Sequence, residues 1–244
     1  MNNPLQNIVD NMDKYRIGLD DVFAFRCHSC GKCCKQREDI LLNSRDVYNI
    51  AKALKLTHEQ VIERYCECYI GQDSRVPIVR LKPEGVNRVC PLLAGSRCSV
   101  HSLKPTVCAL YPIGRVLAAE SAPEELGLGS PNEIQYIINP VECASRRKKQ
   151  TVRQWLEMFG IPVEDTFFTV WHKSLFRLIE DVRLFEKQSG PNNSAMDMIW
   201  GAMYQSIYML YNVKEEFQPQ FDSNIEKLLS LFDGLKKATG INKE

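Results

Sequence analysis

The chain has 244 residues, enough for one large or two small domains with a substantial core, and at 44% hydrophobic and 25% charged it has the composition of a globular protein. Its 31 basic residues balance 30 acidic ones, and a net charge of +1 gives no global reason to expect nucleic acid or an anionic membrane as partner. The most apolar long stretch, Met196 to Val213, runs only 18 residues and contains Asp197, Gln205, Ser206 and Asn212, which excludes a membrane span and fits a buried core helix.

In chain order, Asp39 to Asn43 reads as a short strand, and Ser44 is expected to cap a helix reaching about Leu54, with Asp46 in its first turn. Thr57-His58-Glu59-Gln60 has the pattern of a capping box and opens a second helix, expected to continue through Tyr65 towards Tyr69. On such a helix Cys66 and Cys68 point to different faces. Val76 to Lys82 and Val86 to Cys90, separated by Pro83-Glu84-Gly85, suggest a hairpin that delivers Cys90 at its end. Short strands are expected at Arg115 to Ala119 and Ile134 to Asn139, flanking a Pro- and Gly-rich loop. Beyond Cys143 the pattern turns helical, over Thr151 to Phe159, Glu164 to Lys187, Ala195 to Tyr211 and Ser223 to Lys237, with breaks at Gly160, Gly190-Pro191 and Pro219. The expected fold is α+β: a cysteine-rich metal-binding domain of short strands and helices over residues 1–145, then a helical subdomain over 146–244.

The ten cysteines mark where chemistry lies, because all fall in the first 143 residues and four occupy the octet Cys27-His28-Ser29-Cys30-Gly31-Lys32-Cys33-Cys34. Two successive Cys-x-x-Cys steps bring three sulfurs within reach of one centre, and Gly31 permits the tight turn between them. Adjacent side chains diverge, so Cys33 and Cys34 are expected to serve different centres, two metals of one cluster, or redox chemistry. A second group, Cys90, Cys98 and Cys108, places three thiols in nineteen residues punctuated by proline and glycine. Met1 to Ile8 has neither the basic nor the apolar region of a secretory signal, so reduced, cytoplasmic thiols are expected in preference to disulfides. His28 and His101 lie inside the two groups, and Cys66 and Cys68 outside them; a role other than ligation is favoured for each, and their membership of the site stays open. His58 and His172 read as packing or surface residues. The run Arg146-Arg147-Lys148-Lys149 with Arg153 reads as a solvated linker, and Trp155, Phe159, Phe167, Phe168, Trp171 and Phe176 as core.

Phe25-x-Cys27-x-x-Cys30-Gly31-x-Cys33-Cys34, Cys90-Pro91-Leu92-Leu93, Cys98-x-Val100 and Pro105-x-x-Cys108-x-x-Tyr111-Pro112 together resemble the YkgJ family of cysteine-cluster proteins described as zinc- or iron-chelating. The likeness covers roughly residues 22 to 115. It departs from the family's pattern at His101, where an aromatic is usual, and at Lys104, where arginine is usual. The resemblance implies a metal or iron-sulfur site formed by both cysteine groups, and a related pattern in flagellin lysine-N-methylases adds protein methylation as an alternative activity.

The expected ligands are therefore Cys27, Cys30, Cys33, Cys34, Cys90, Cys98, Cys108 and Cys143. A zinc site saturates with four thiolates, and this chain offers more, with a Cys-x-x-Cys-x-x-Cys run closer to a ferredoxin than to a zinc ribbon. An iron-sulfur cluster or iron is the expected cofactor, zinc the alternative. The function expected is a metal-binding protein with a possible oxidoreductase role; a lysine-methylase-like enzyme and a zinc-stabilised interaction module are the alternatives. No phosphate loop, Ser/His/Asp order or zinc-protease histidine pair is present, so no catalytic residue is assigned and enzyme status stays open. The partner, a protein or a small molecule, is not specified by the sequence.

Overall fold

The computed structural model describes residues 12–27, 30–35, 39–117, 133–139, 148–190 and 194–241. Helix α1 (Met12–Tyr15) leads to strand β1 (Val22–Ala24), and β2 (Leu41–Leu42) precedes helices α2 (Ser44–Leu54) and α3 (His58–Tyr65). Strands β3 (Cys66–Ile70), β4 (Pro77–Leu81), β5 (Leu93–Ala94) and β6 (Arg97–Cys98) follow, then helix α4 (Thr106–Leu110). Strands β7 (Ile113–Val116), β8 (Gln135–Ile138) and β9 (Lys149–Thr151) complete the strands, and helices α5 (Val152–Met158), α6 (Thr166–Ser189), α7 (Ser194–Tyr204) and α8 (Phe217–Thr239) close the chain. The fold is α+β with a helical C-terminal part. The chain groups into two compact units, each made of two stretches: Met1–Cys33 with Thr106–Lys173, and Cys34–Pro105 with Ser174–Glu244.

The first unit is built on two antiparallel ribbons, β1 with β9 and β7 with β8. In the second ribbon β8 lies within the strand expected from Ile134 to Asn139, while β7 overlaps the one expected from Arg115 to Ala119 only at Arg115 and Val116, beginning two residues earlier at Ile113. The first ribbon was not visible in the sequence, since three residues per strand are too few to display an alternating pattern. Trp155 gathers the core: its ring meets Phe23 and Phe25 edge-on at 5.9 and 5.4 Å, and its Nε1–H donates to the Leu110 carbonyl at 2.9 Å. That bond lets a polar indole be buried without an unmet donor. Thr151 and Gln154 form a capping box that starts α5. The buried Arg115 guanidinium meets Asp165 at 2.8 Å and lies over the Tyr136 and Phe168 rings, so its charge is matched where water cannot reach it. Arg153 pairs with Asp20 at the surface, and Lys149 sits in β9 opposite Ala24, which corrects the linker reading for these two; Arg146 and Arg147 lie outside the described residues.

The second unit holds a three-stranded antiparallel sheet in the order β2-β4-β3. The hairpin expected between Val76 to Lys82 and Val86 to Cys90 does not form. Strand β4 already spends both its edges on β2 and β3, leaving no ladder for a third partner. Instead Glu84 and Val89 exchange two backbone hydrogen bonds at 2.8 and 2.9 Å around Gly85, which has φ +67° and so adopts the left-handed backbone that glycine tolerates, and Val86 stands fully exposed at the tip. Helix α2 is capped by Asn43, with Asp46 returning the bond, one residue earlier than expected. The Thr57–Gln60 box is present, but α3 stops at Tyr65 and the chain becomes strand β3. The Tyr65 carbonyl, which a longer helix would have bonded, accepts from Lys82 N–H at 2.9 Å beyond β4. Cys66 and Cys68 therefore occupy a strand, where residues two apart share a face. Helix α8 begins at Phe217, so Pro219 lies in its first turn, where its missing N–H has no helical partner to lose. Its Phe221, Ile225, Leu228 and Phe232 are buried, as are Val47 and Ile50 of α2. His58 is buried too, with its ring stacked on Tyr211 at 5.4 Å and tilted against Tyr48 at 6.0 Å.

Candidate metal centre

Four of the expected ligands, Cys27, Cys30, Cys33 and Cys108, belong to the first unit, and Cys34, Cys90 and Cys98 to the second. The unit boundary thus falls between the two halves of the Cys33-Cys34 doublet. Cys143 and His28 lie outside the described residues. Cys27 and Cys30 are exposed thiols, and Cys33, Cys34, Cys90, Cys98 and Cys108 are half-buried thiols.

In the first unit the aromatic core sets out both cysteine-bearing segments. Phe25 is held by Lys148, whose carbonyl accepts its N–H at 3.0 Å, and by Gln150, whose Nε2 donates to its carbonyl at 2.8 Å. The Phe25 ring packs edge-on against Tyr111 at 5.8 Å. Two residues beyond Phe25 the chain reaches Cys27, and three residues before Tyr111 it leaves Cys108 on α4. The loop then turns through Gly31, whose φ of +70° supports the tight turn expected there, into a short 3-10 turn over Lys32–Cys34.

In the second unit Cys34 and Cys90 are joined through their backbones: Cys90 N–H donates to the Cys34 carbonyl at 2.7 Å, and Lys35 pairs with Val89. The Cys90 carbonyl accepts from Leu93 N–H at 3.0 Å, closing the turn at Pro91. Buried Leu92 and Val100 pin the next loop, while Ser99 bonds the Leu92 carbonyl with both its N–H (2.8 Å) and its hydroxyl (3.0 Å). Cys98 stands opposite Leu93 on the β5–β6 ribbon. His101 opens an exposed 3-10 turn after it.

The cysteine-bearing stretches of sequence are rich in basic residues, a signal that a reading centred on cysteine spacing passes over, although Glu38 and Asp39 follow the first of them directly. Residues 24–37 contain Arg26, Lys32, Lys35 and Arg37 and no carboxylate; residues 90–108 contain Arg97 and Lys104 and again none. A metal held by several thiolates carries net negative charge, and a loop of cations without acids lowers its energy. Thiols in irregular, solvent-reachable loops also suit borderline and soft ions such as zinc and iron, so the donor set fits the expected metals. Among the described residues no group of three or more Cys, His, Asp or Glu side chains is placed to hold a metal ion, so the match lies in the donors' chemistry and anchoring.

Residues 26–144 match the model of the CxxCxxCC domain, described as a "putative zinc- or iron-chelating domain". An uncharacterized protein of Methanocaldococcus jannaschii is 26% identical over 99 residues, which are 41% of this chain and 50% of that protein. The chain thus spans about half the length of that relative. No solved structure matches the chain significantly.

Proposed function

From the premise that residues 26–144 belong to the zinc- or iron-chelating CxxCxxCC family, we propose that this protein holds an iron-sulfur cluster or iron through the thiolates of Cys27, Cys30, Cys33, Cys34, Cys90, Cys98, Cys108 and Cys143, and uses it in electron transfer. The observation that carries this reading is a thiol supply beyond four, on two segments anchored by backbone hydrogen bonds. A tetrahedral zinc site is complete with four thiolates, whereas a polynuclear cluster spreads its ligands over more than one metal and gives adjacent Cys33 and Cys34 separate roles. We place this function in the cytoplasm, where such thiols stay reduced; among the described residues no helix is long and apolar enough to cross a membrane. The test is purification without oxygen, followed by metal and acid-labile sulfide analysis and a visible spectrum. Iron with sulfide and broad visible absorption supports the cluster; stoichiometric zinc without colour replaces it with a closed structural site. Folded protein with neither metal removes the chelating function altogether.

A further inference from the structure

We propose that Cys66 and Cys68 form a second metal site, a two-thiolate clamp for a soft monovalent d10 cation such as copper(I), separate from the loop cysteines. Glu67 bonds Arg80 across the sheet at 2.6 Å, and the same guanidinium lies over the Tyr69 ring at 5.2 Å, so these residues share one face. Cys66 and Cys68 take the other, in register with Leu81 and Val79 of β4, both buried.

Residues two apart on a strand are separated by about 6.6 Å, and their Cβ atoms by a similar distance. A disulfide needs Cβ atoms about 3.5–4.5 Å apart, so bonding these two sulfurs directly would require bending the strand. A bridging ion demands less: two metal–thiolate bonds of about 2.3 Å span about 4.6 Å, within reach of sulfurs that lean towards each other. The site offers two thiols and an apolar wall, too few ligands for tetrahedral zinc, whereas soft sulfur donors select copper(I).

Access is graded. Cys66 is 7% exposed while Cys68 is open to solvent, and β3 pairs only with β4 among the described residues, so an ion can meet Cys68 first and then the sheltered sulfur. Burial pushes the Cys66 thiol up to about 12, with charge on Cys68 adding to the effect, so two bare thiolates are disfavoured there. One entering cation displaces two protons and leaves a single net negative charge on the pair. Burial raises the Tyr204 and Tyr208 phenols, with Cys68 and Cys66 adding to the effect at Tyr204 and Cys68 at Tyr208, and Tyr208 is tied to the backbone of Val79, the residue opposite Cys68. Tyr208 lies in the π-helical turn Gln205–Met209 and Tyr204 directly precedes it, a rare geometry that is frequent at functional sites.

The test uses the full chain with its resident metal in place, reduced and free of oxygen, titrated with copper(I) against a colorimetric chelator. Cys68→Ser and Cys66→Val are each expected to bind one copper equivalent fewer than wild type, with zinc and iron content unchanged and only a small loss of stability for Cys68→Ser. Equal copper uptake by wild type and Cys68→Ser overturns the proposal, and so does a mild oxidant that converts the two thiols into a disulfide. Should Cys66→Val unfold, the exposed Cys68 position still decides. Loss of the loop-cysteine reading would appear instead as missing zinc and iron in every sample.

Discussion

The loop cysteines and the strand cysteines are the same side chain in two physical settings. Cys27 and Cys30 are exposed on irregular backbone, whereas Cys66 lies on the apolar face of a sheet, where burial lifts its thiol to about 12. The histidines repeat the contrast: His101 opens an exposed turn, and His58 packs between aromatic rings, where burial holds its imidazole down to about 4. Residue type therefore says less about reactivity here than the element that carries it. Loops keep titratable groups available for ligation, and the core keeps them neutral.

The largest expected effect breaks the loop side of this contrast. Cys30→Ser or Cys108→Ser should lose bound metal and lower stability by about 3 kcal/mol or more, because metal binding energy in such sites is folding energy; metal analysis with chemical denaturation measures both. Full metal retention in both variants would remove these thiols from the site.

Next comes the buried imidazole. His58 binds its proton near pH 4 when folded and near 6.5 when unfolded, so between those values the unfolded chain holds more protons. Its contribution is whole above pH 6.5 and is lost as pH falls towards 4, by about 3 kcal/mol in total. Denaturation midpoints across that window should show this slope in wild type and a flatter one in His58→Leu. An unchanged slope would mean that the ring is not shielded.

Smaller effects sharpen the strand side. Cys66→Ser places a hydroxyl on the apolar face and should cost about 1–3 kcal/mol, while Cys68→Ser should cost less than about 1 kcal/mol, and neither should change zinc or iron content. Thiol labelling of the native protein stripped of metal should mark Cys30 well before Cys66, since little of the buried thiol is ionised; equal rates would erase the distinction. The least effect is expected for Arg153→Ala, whose partner Asp20 is exposed: melting should not change measurably.

The cysteine octet, the capping box at Thr57 and the helices after residue 151 were legible because each depends on spacing within a few residues, where local geometry acts directly. The strand β3 was not. Cys66-Glu67-Cys68-Tyr69-Ile70 could extend a helix by its local pattern, and only the ladder offered by β4 from the next segment makes it a strand. The failed Val86 hairpin has the same cause, since whether β4 has a vacant edge depends on β2, more than thirty residues earlier in the chain. By itself the sequence determined that thiols at ligand spacing would mark residues 27 to 108 and that an α+β chain would end in helices. Tertiary structure alone decided that Cys66 and Cys68 share one face of a strand with only Cys66 sheltered, that His58 is buried, and that residues 34–105 group with 174–244, because burial and strand pairing depend on partners distant in the chain.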